Sequence, residues 1–142
     1  MEHSLLDAKH KHLDFIQNIV SRLGNNGIQV KGWAVTLVSA ILALASSKDV
    51  IVRQAMVQIA FLPVLMFWLL DGYFIWQERL FRSLYNDIAK KDPDQIDYNL
   101  NIMPYQGGRN TWERSVFSKT LNFFYGALVV LLVGIAWLAG KV

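Results

Sequence analysis

The chain contains no cysteine and only three prolines, and charged residues make up just 18% of it. Without cysteine there is no disulfide, no thiolate nucleophile and no thiolate metal site. Histidine is scarce as well. His10 and His12 stand two apart and point to different faces of a helix, and His3 and His10 are two turns apart, too far to chelate one ion. The four-residue spacing of a helical zinc pair is missing, so the histidines read as solvated. Asp7 and Asp14 follow His3 and His10 by four residues, a spacing that supports a helix. Gly24-Asn25-Asn26-Gly27 and Gly107-Gly108-Arg109 lack the lysine and hydroxyl of a nucleotide-hydrolysing loop and read as connectors. No catalytic constellation, metal site or cofactor is expected.

Long uncharged runs are what the chain does have. Residues 120–140 read TLNFFYGALVVLLVGIAWLAG, long enough at about 1.5 Å per residue to cross the ~30 Å hydrocarbon core of a bilayer. Residues 28–47 form a second candidate span if Lys31 snorkels to the headgroups, with a re-entrant segment as the alternative. The third, QAMVQIAFLPVLMFWLL, begins at Gln54, and its apolar periodicity continues past Asp71 through Tyr73, Trp76, Leu80, Leu84 and Ile88. One helix over 54–91 is predicted, with a kink at Pro63 and a stop at Asp92-Pro93. Leu13, Ile16, Val20 and Leu23 recur at helical spacing ahead of the first run. They predict a separate amphipathic helix over 4–23, started by Ser4 and ended by Gly24, in place of an export peptide. Residues 92–109 read as a loop, and Asn110 with Glu113 as a capping box before the last span. The fold class expected is all-α, polytopic, with three transmembrane helices in a single membrane domain.

Eleven lysines and arginines flank the spans on the side of the N-terminus and of the loop, against three (Lys48, Arg53, Lys141) on the other. That bias predicts a cytoplasmic N-terminus and a periplasmic C-terminus. Among the cations, Arg109 and Arg114 lie beside a predicted helix start and Lys119 leads into the third span, while Lys9, Lys11 and Arg22 lie on the N-terminal helix. Together they are the candidate site for an anionic ligand, with solvated surface as the plain alternative. Asp71 is the one carboxylate inside an apolar run, expected at the membrane interface, in an interhelical pair or in a pore. Gln58 and Asn122 are candidates for bonds between helices. Gly32, Thr36, Ala40, Ala43 and Ser47 form one small-residue stripe suited to close helix packing within the chain, to self-association, or to lining a narrow pore.

The run IQNIVSRLGNNGIQVKGWAVTLVSA, followed by FLPVLMFWLLDGYFIWQERLFRSLYNDI, resembles a widespread group of small bacterial inner-membrane proteins. The shared pattern is Lys31-Gly32-Trp33, Pro63, Asp71, Tyr73, Glu78, Arg79, Phe81, Arg82 and Tyr85. Members look similar to membrane effectors of anti-phage defence, including the Hailong type, in which a nucleotidyltransferase supplies an oligonucleotide signal to a channel. The resemblance implies a homo-oligomeric ion channel, with a tetramer as the first expectation, that depolarises the inner membrane under control of an oligonucleotide or cyclic nucleotide. The alternative is a non-conducting membrane anchor or accessory subunit that recruits a cytosolic partner enzyme.

Overall fold

The computed structural model describes residues 2–45 and 49–139. Ser47, Lys48, Gly140 and Lys141, each of which enters the sequence argument, lie outside the described residues. The elements are α1 (Glu2–Leu44), α2 (Val50–Lys90), short 3-10 turns at Pro93–Gln95 and Met103–Tyr105, α3 (Trp112–Val116) and α4 (Lys119–Ala139). No strand occurs among the described residues. Parts of α1, α2 and α4 are long and apolar enough to cross a membrane.

The expected break between a helix over 4–23 and a span over 28–47 does not exist: α1 is one helix of 43 residues. Gly24 and Gly27 are poor helix formers, each costing about 1 kcal/mol against alanine, and on local propensity the segment is a turn. Packing overrides propensity here. A Cβ on Gly27 would stand 2.9 Å from Asp71 Oδ1, so the bare backbone is what lets α1 approach α2 at this level. Both glycines thus sit on the interhelical side and not at a helix end.

The expected long second helix is present, and it runs through Pro63 without ending. Asp49 begins it: its carboxylate accepts from the backbone N–H groups of Ile51 (2.8 Å) and Val52 (3.3 Å). At the other end the Lys9 ammonium donates to the carbonyls of Ala89 (3.1 Å) and Lys91 (2.7 Å), placing a cation where the helix dipole is negative. α1, α3 and α4 all pack on α2.

The core has two parts. Ala34 and Val38 of α1, Ala60 and Val64 of α2, and Leu121, Tyr125 and Leu132 of α4 make the part within the apolar runs. Ile16 and Val20 of α1 meet Leu84 and Ile88 of α2 in the other, and Ile96 from the loop completes it. The loop over 92–109 is therefore not a free connector. Ile96, Ile102 and Tyr105 all pack into this second part, and Tyr105 donates to Asp87 Oδ2 at 2.8 Å. Gly107 and Gly108 take positive φ, +117° and +56°, as they turn the chain back toward α2. Thr111, and not Asn110, caps α3, its hydroxyl accepting from the Arg114 N–H. The Asn110 amide donates instead to Ser83 Oγ and to the Tyr105 carbonyl.

Continuity of α1 has a direct test. Asn25→Pro would be harmless in a turn but removes a hydrogen bond and strains the preceding turn inside a helix, costing about 3 kcal/mol. We expect a clear drop in the thermal midpoint of the purified protein; an unchanged midpoint would restore the break.

The Asp87 clasp gives the loop a pH window. The Lys91 side chain and then the Tyr105 phenol hold the Asp87 carboxyl below its ordinary 3.8, and burial followed by the bond to Asp87 pushes Tyr105 up to about 12. The carboxylate's contribution is present above the unfolded value and lost as pH falls through the folded one. The phenol's is present below 10.0 and lost as pH rises toward about 12. The loop is thus held best between roughly pH 4 and 10. Amide exchange over residues 96–105, corrected for intrinsic rates, should accelerate below that window, and Asp87→Asn should reproduce the acceleration at pH 7.

Candidate functional site

Asp71 falls where α1, α2 and α4 meet. Three residues of the apolar pattern bring this about: Gly27 clears the space, Lys31 lies one turn further along α1, and Tyr125 projects from α4. The Asp71 side chain is fully buried, with Oδ2 2.6 Å from Lys31 Nζ. Tyr125, also fully buried, has its hydroxyl 3.2 Å from both Asp71 Oδ2 and the Phe67 carbonyl, either of which can accept its proton. Lys31 Nζ also lies 3.4 Å from the Gly27 carbonyl. Asp71 Oδ1 is buried and without a hydrogen-bond partner. Of the three placements open to Asp71, the structure shows the interhelical pair.

Aromatic packing extends this cluster. Trp68 stacks on Tyr125 with ring centroids 5.8 Å apart and planes 8° from parallel, and its indole N–H donates to the Val116 carbonyl at 2.9 Å. α3 is thereby fastened to α2 at the level of the ion pair. Gly72 permits the contact, since a Cβ there would collide with the Val116 side chain and backbone. One turn beyond, the Trp76 indole donates to the Asn110 carbonyl, so Trp76 is a structural strut as well as an aromatic at the end of the apolar run.

At the far end of α2, Arg53 Nη2 donates to the Ala139 carbonyl, closing the end of α4. From Arg53 to Asp71 is about 27 Å along the helix. Between these levels α1, α2 and α4 expose large apolar side chains, among them Leu37, Leu44, Leu62, Leu65, Met66, Val130 and Leu131. Gln58 and Asn122 do not bridge helices: both are exposed, and the Asn122 amide donates to the nearby Phe117 carbonyl.

The cations predicted to act together divide into two groups. Arg109, Arg114 and Lys119 do meet, joined by Arg79, around an open cavity of about 570 Å³ at the start of α4. Arg79 Nη1 donates to the Arg109 (3.3 Å) and Arg114 (3.5 Å) carbonyls and to Ser115 Oγ (3.2 Å), which holds the cavity wall in place. Lys9 belongs elsewhere, its ammonium spent on the end of α2 roughly 15 Å beyond Arg79. Lys11 and Arg22 are exposed on α1 and do not line the cavity. In the sequence Arg79 is a topology cation and part of the resemblance pattern but not a ligand candidate, because nothing in the sequence brings it next to Arg109.

Thr36, Ala40 and Ala43 are all exposed on one face of α1, with Gly32 beside them and nothing within 4 Å of where its Cβ would be. The opposite face, carrying Val30, Ala34 and Val38, is the buried one. These four residues of the stripe therefore do not pack against the described residues of the chain, and Asp71 is not among them. Among the described residues no group of three or more histidines and carboxylates is placed to hold a metal ion.

Breaking the pair should be costly. Asp71→Asn leaves Lys31 facing a neutral amide, and the loss of one partner of a buried pair costs roughly 3 kcal/mol. A Lys31→Met/Asp71→Leu double variant should recover much of that loss, because no charge is then left uncompensated. Thermal melts of the three proteins check it, and a double variant no better than the single would show that the pair is not the source of the cost.

No family model, curated protein or solved structure matches the chain, so its function is argued from this geometry.

Proposed function

We propose that the chain spans a bacterial inner membrane three times and assembles in several copies into an ion channel controlled from its cytosolic side. The observation that carries this reading is the open small-residue face of α1. In lipid there is little to gain by hiding oily side chains, and helices associate where small residues let their backbones approach. Gly32, Thr36, Ala40 and Ala43 offer such a face, and none of the described residues covers it. One chain with three spans cannot enclose a conducting path, so conduction requires copies arranged about an axis.

The apolar belt and its two polar boundaries support membrane residence. The stretch of about 27 Å from Arg53 to Asp71 is close to the ~30 Å hydrocarbon thickness of a bilayer. The distribution of lysine and arginine supports a cytosolic Asp71 end, loop and N-terminus. An anionic ligand at Arg109, Arg114 and Lys119 is the signal that the resemblance to anti-phage effectors implies, with a nucleotidyltransferase as its source.

The second reading, a non-conducting anchor that recruits a cytosolic enzyme, is favoured by one observation: Asp71, the carboxylate a cation path would use, is fully buried and already paired with Lys31.

Oligomer mass in detergent and single-channel recording in planar bilayers separate the two. The channel reading expects a multimer that conducts, with current that changes when short oligonucleotides or cyclic nucleotides are added to the cytosolic side. Ala40→Leu forces neighbouring helices apart and should weaken assembly by about 1–3 kcal/mol, lowering oligomer mass and conductance together. A multimer that never conducts would leave the anchor.

A further inference from the structure

The basic cavity is not isolated. Its wall includes Phe117, and Phe117 also lines a second, wholly apolar groove of about 250 Å³ with Leu65, Trp68, Leu69 and Val116. We propose that the two together form a binding site for one anionic phospholipid, with the phosphate in the basic cavity and an acyl chain along the groove. This rests on the reading of the chain as membrane-spanning, not on its being a channel, and it gives the cavity of Arg109, Arg114 and Lys119 to a lipid in place of the nucleotide signal that the resemblance implies.

Three features favour a lipid. The first is charge. Arg79, Arg109, Arg114 and Lys119 line the cavity, no lining residue is acidic, and among the described residues none of the four forms an ion pair with a carboxylate. Arginine forks and a lysine suit phosphate oxygens, and four uncompensated cations favour a ligand with net negative charge over a zwitterion. The second is the helix start at the cavity. Ser118 and Lys119 of the lining stand at the start of the 21-residue helix α4, where free backbone N–H groups favour an anion.

The third is depth. Arg79 lies about 12 Å along α2 beyond Asp71, on the polar side of the hydrocarbon boundary that Asp71 marks. Leu65 and Leu69 lie only about 18–24 Å from Arg53, within the acyl layer. A molecule that fills both compartments must have a phosphate at one end and a hydrocarbon chain at the other, at the vertical separation a phospholipid has. A free nucleotide would satisfy the cavity and leave the groove empty.

The groove also touches the buried ion pair at one remove. Trp68 is 6.4 Å from Phe117, edge to face, and stacks on its other side against Tyr125, whose hydroxyl reaches Asp71. An acyl chain against Trp68 and Phe117 therefore presses on the side chains that hold Tyr125 in place.

The experiment uses the full chain in nanodiscs of phosphatidylcholine carrying a few per cent of lipid brominated on its acyl chains, either phosphatidylglycerol or phosphatidylcholine. Trp68 faces the groove, so bound brominated lipid quenches tryptophan fluorescence. We expect quenching by the brominated phosphatidylglycerol to exceed that by brominated phosphatidylcholine at equal dose. In Arg109→Gln/Arg114→Gln the preference should fall about tenfold or more, the loss of charge-assisted bonds to phosphate. Lys119→Gln alone, a milder change at an exposed position, should weaken it in the same direction. Equal quenching by the two lipids in a folded wild-type protein would overturn the proposal. So would displacement of the preference by glycerol phosphate or a short oligonucleotide at concentrations that leave bulk charge screening unchanged, because the site would then take soluble phosphates. Failure of the wild-type chain to enter nanodiscs would reject the membrane reading itself, and with it the lipid site. Absence of current in planar bilayers would leave the lipid site standing.

Discussion

The contact on which the rest of the arrangement depends is the ion pair between Lys31 and Asp71. It joins the two long helices where their apolar portions give way to the polar half of the molecule, and Tyr125 adds the third helix to the same oxygen. A carboxylate buried among apolar helices is expensive unless a cation meets it, and the desolvation of both groups consumes much of what their attraction returns. The pair is better understood as a register device than as a source of stability. Sliding α1 by one turn against α2 would leave both charges unpaired in an apolar setting, so a single alignment of the helices is strongly preferred. Gly27 is part of the same device, because a side chain at that position would occupy the space the carboxylate needs.

Much of this architecture is legible in the amino-acid order. The three apolar runs, the extension of α2 to Lys90 and the inward positions Ile16, Val20, Leu80, Leu84 and Ile88 follow from periodicity, since one face of each helix must find a partner. Periodicity says nothing about which groups meet across helices, and for that reason the sequence leaves three placements open to Asp71, of which the contact with Lys31 selects one. The break expected at Gly24–Gly27 fails for a related reason. Glycine and asparagine advertise a turn to any local rule, but a glycine is also what a helix uses where another backbone or a buried charge comes close. The loop misleads in the opposite direction: Ile96, Ile102 and Tyr105 have no period, so their burial in the second part of the core could not be read from spacing.

The basic cluster shows the same division at the candidate site. Arg109, Arg114 and Lys119 are near neighbours in the chain and could be grouped by eye, while Arg79 reaches them only because α3 folds back over α2. Lys9, equally basic and equally exposed to suspicion from composition, closes the end of a helix instead. Sign of charge alone does not assign a role; the oxygen that each ammonium or guanidinium finds does.

The continuity of α1 and α2 has a mechanical consequence. Each passes from the apolar belt into the polar half without an intervening linker, so the two halves cannot pivot freely on one another. A pair of helices clamped at Lys31–Asp71 behaves as a lever with its fulcrum at the boundary. A tilt of about 5° below that point would swing the tips of α2 and α1, roughly 28 and 44 Å away at 1.5 Å per residue, sideways by about 2.5–4 Å. Movement imposed on the polar tips would be returned to the apolar segments through the same fulcrum, and the stiffness of the helices would set how much of it arrives.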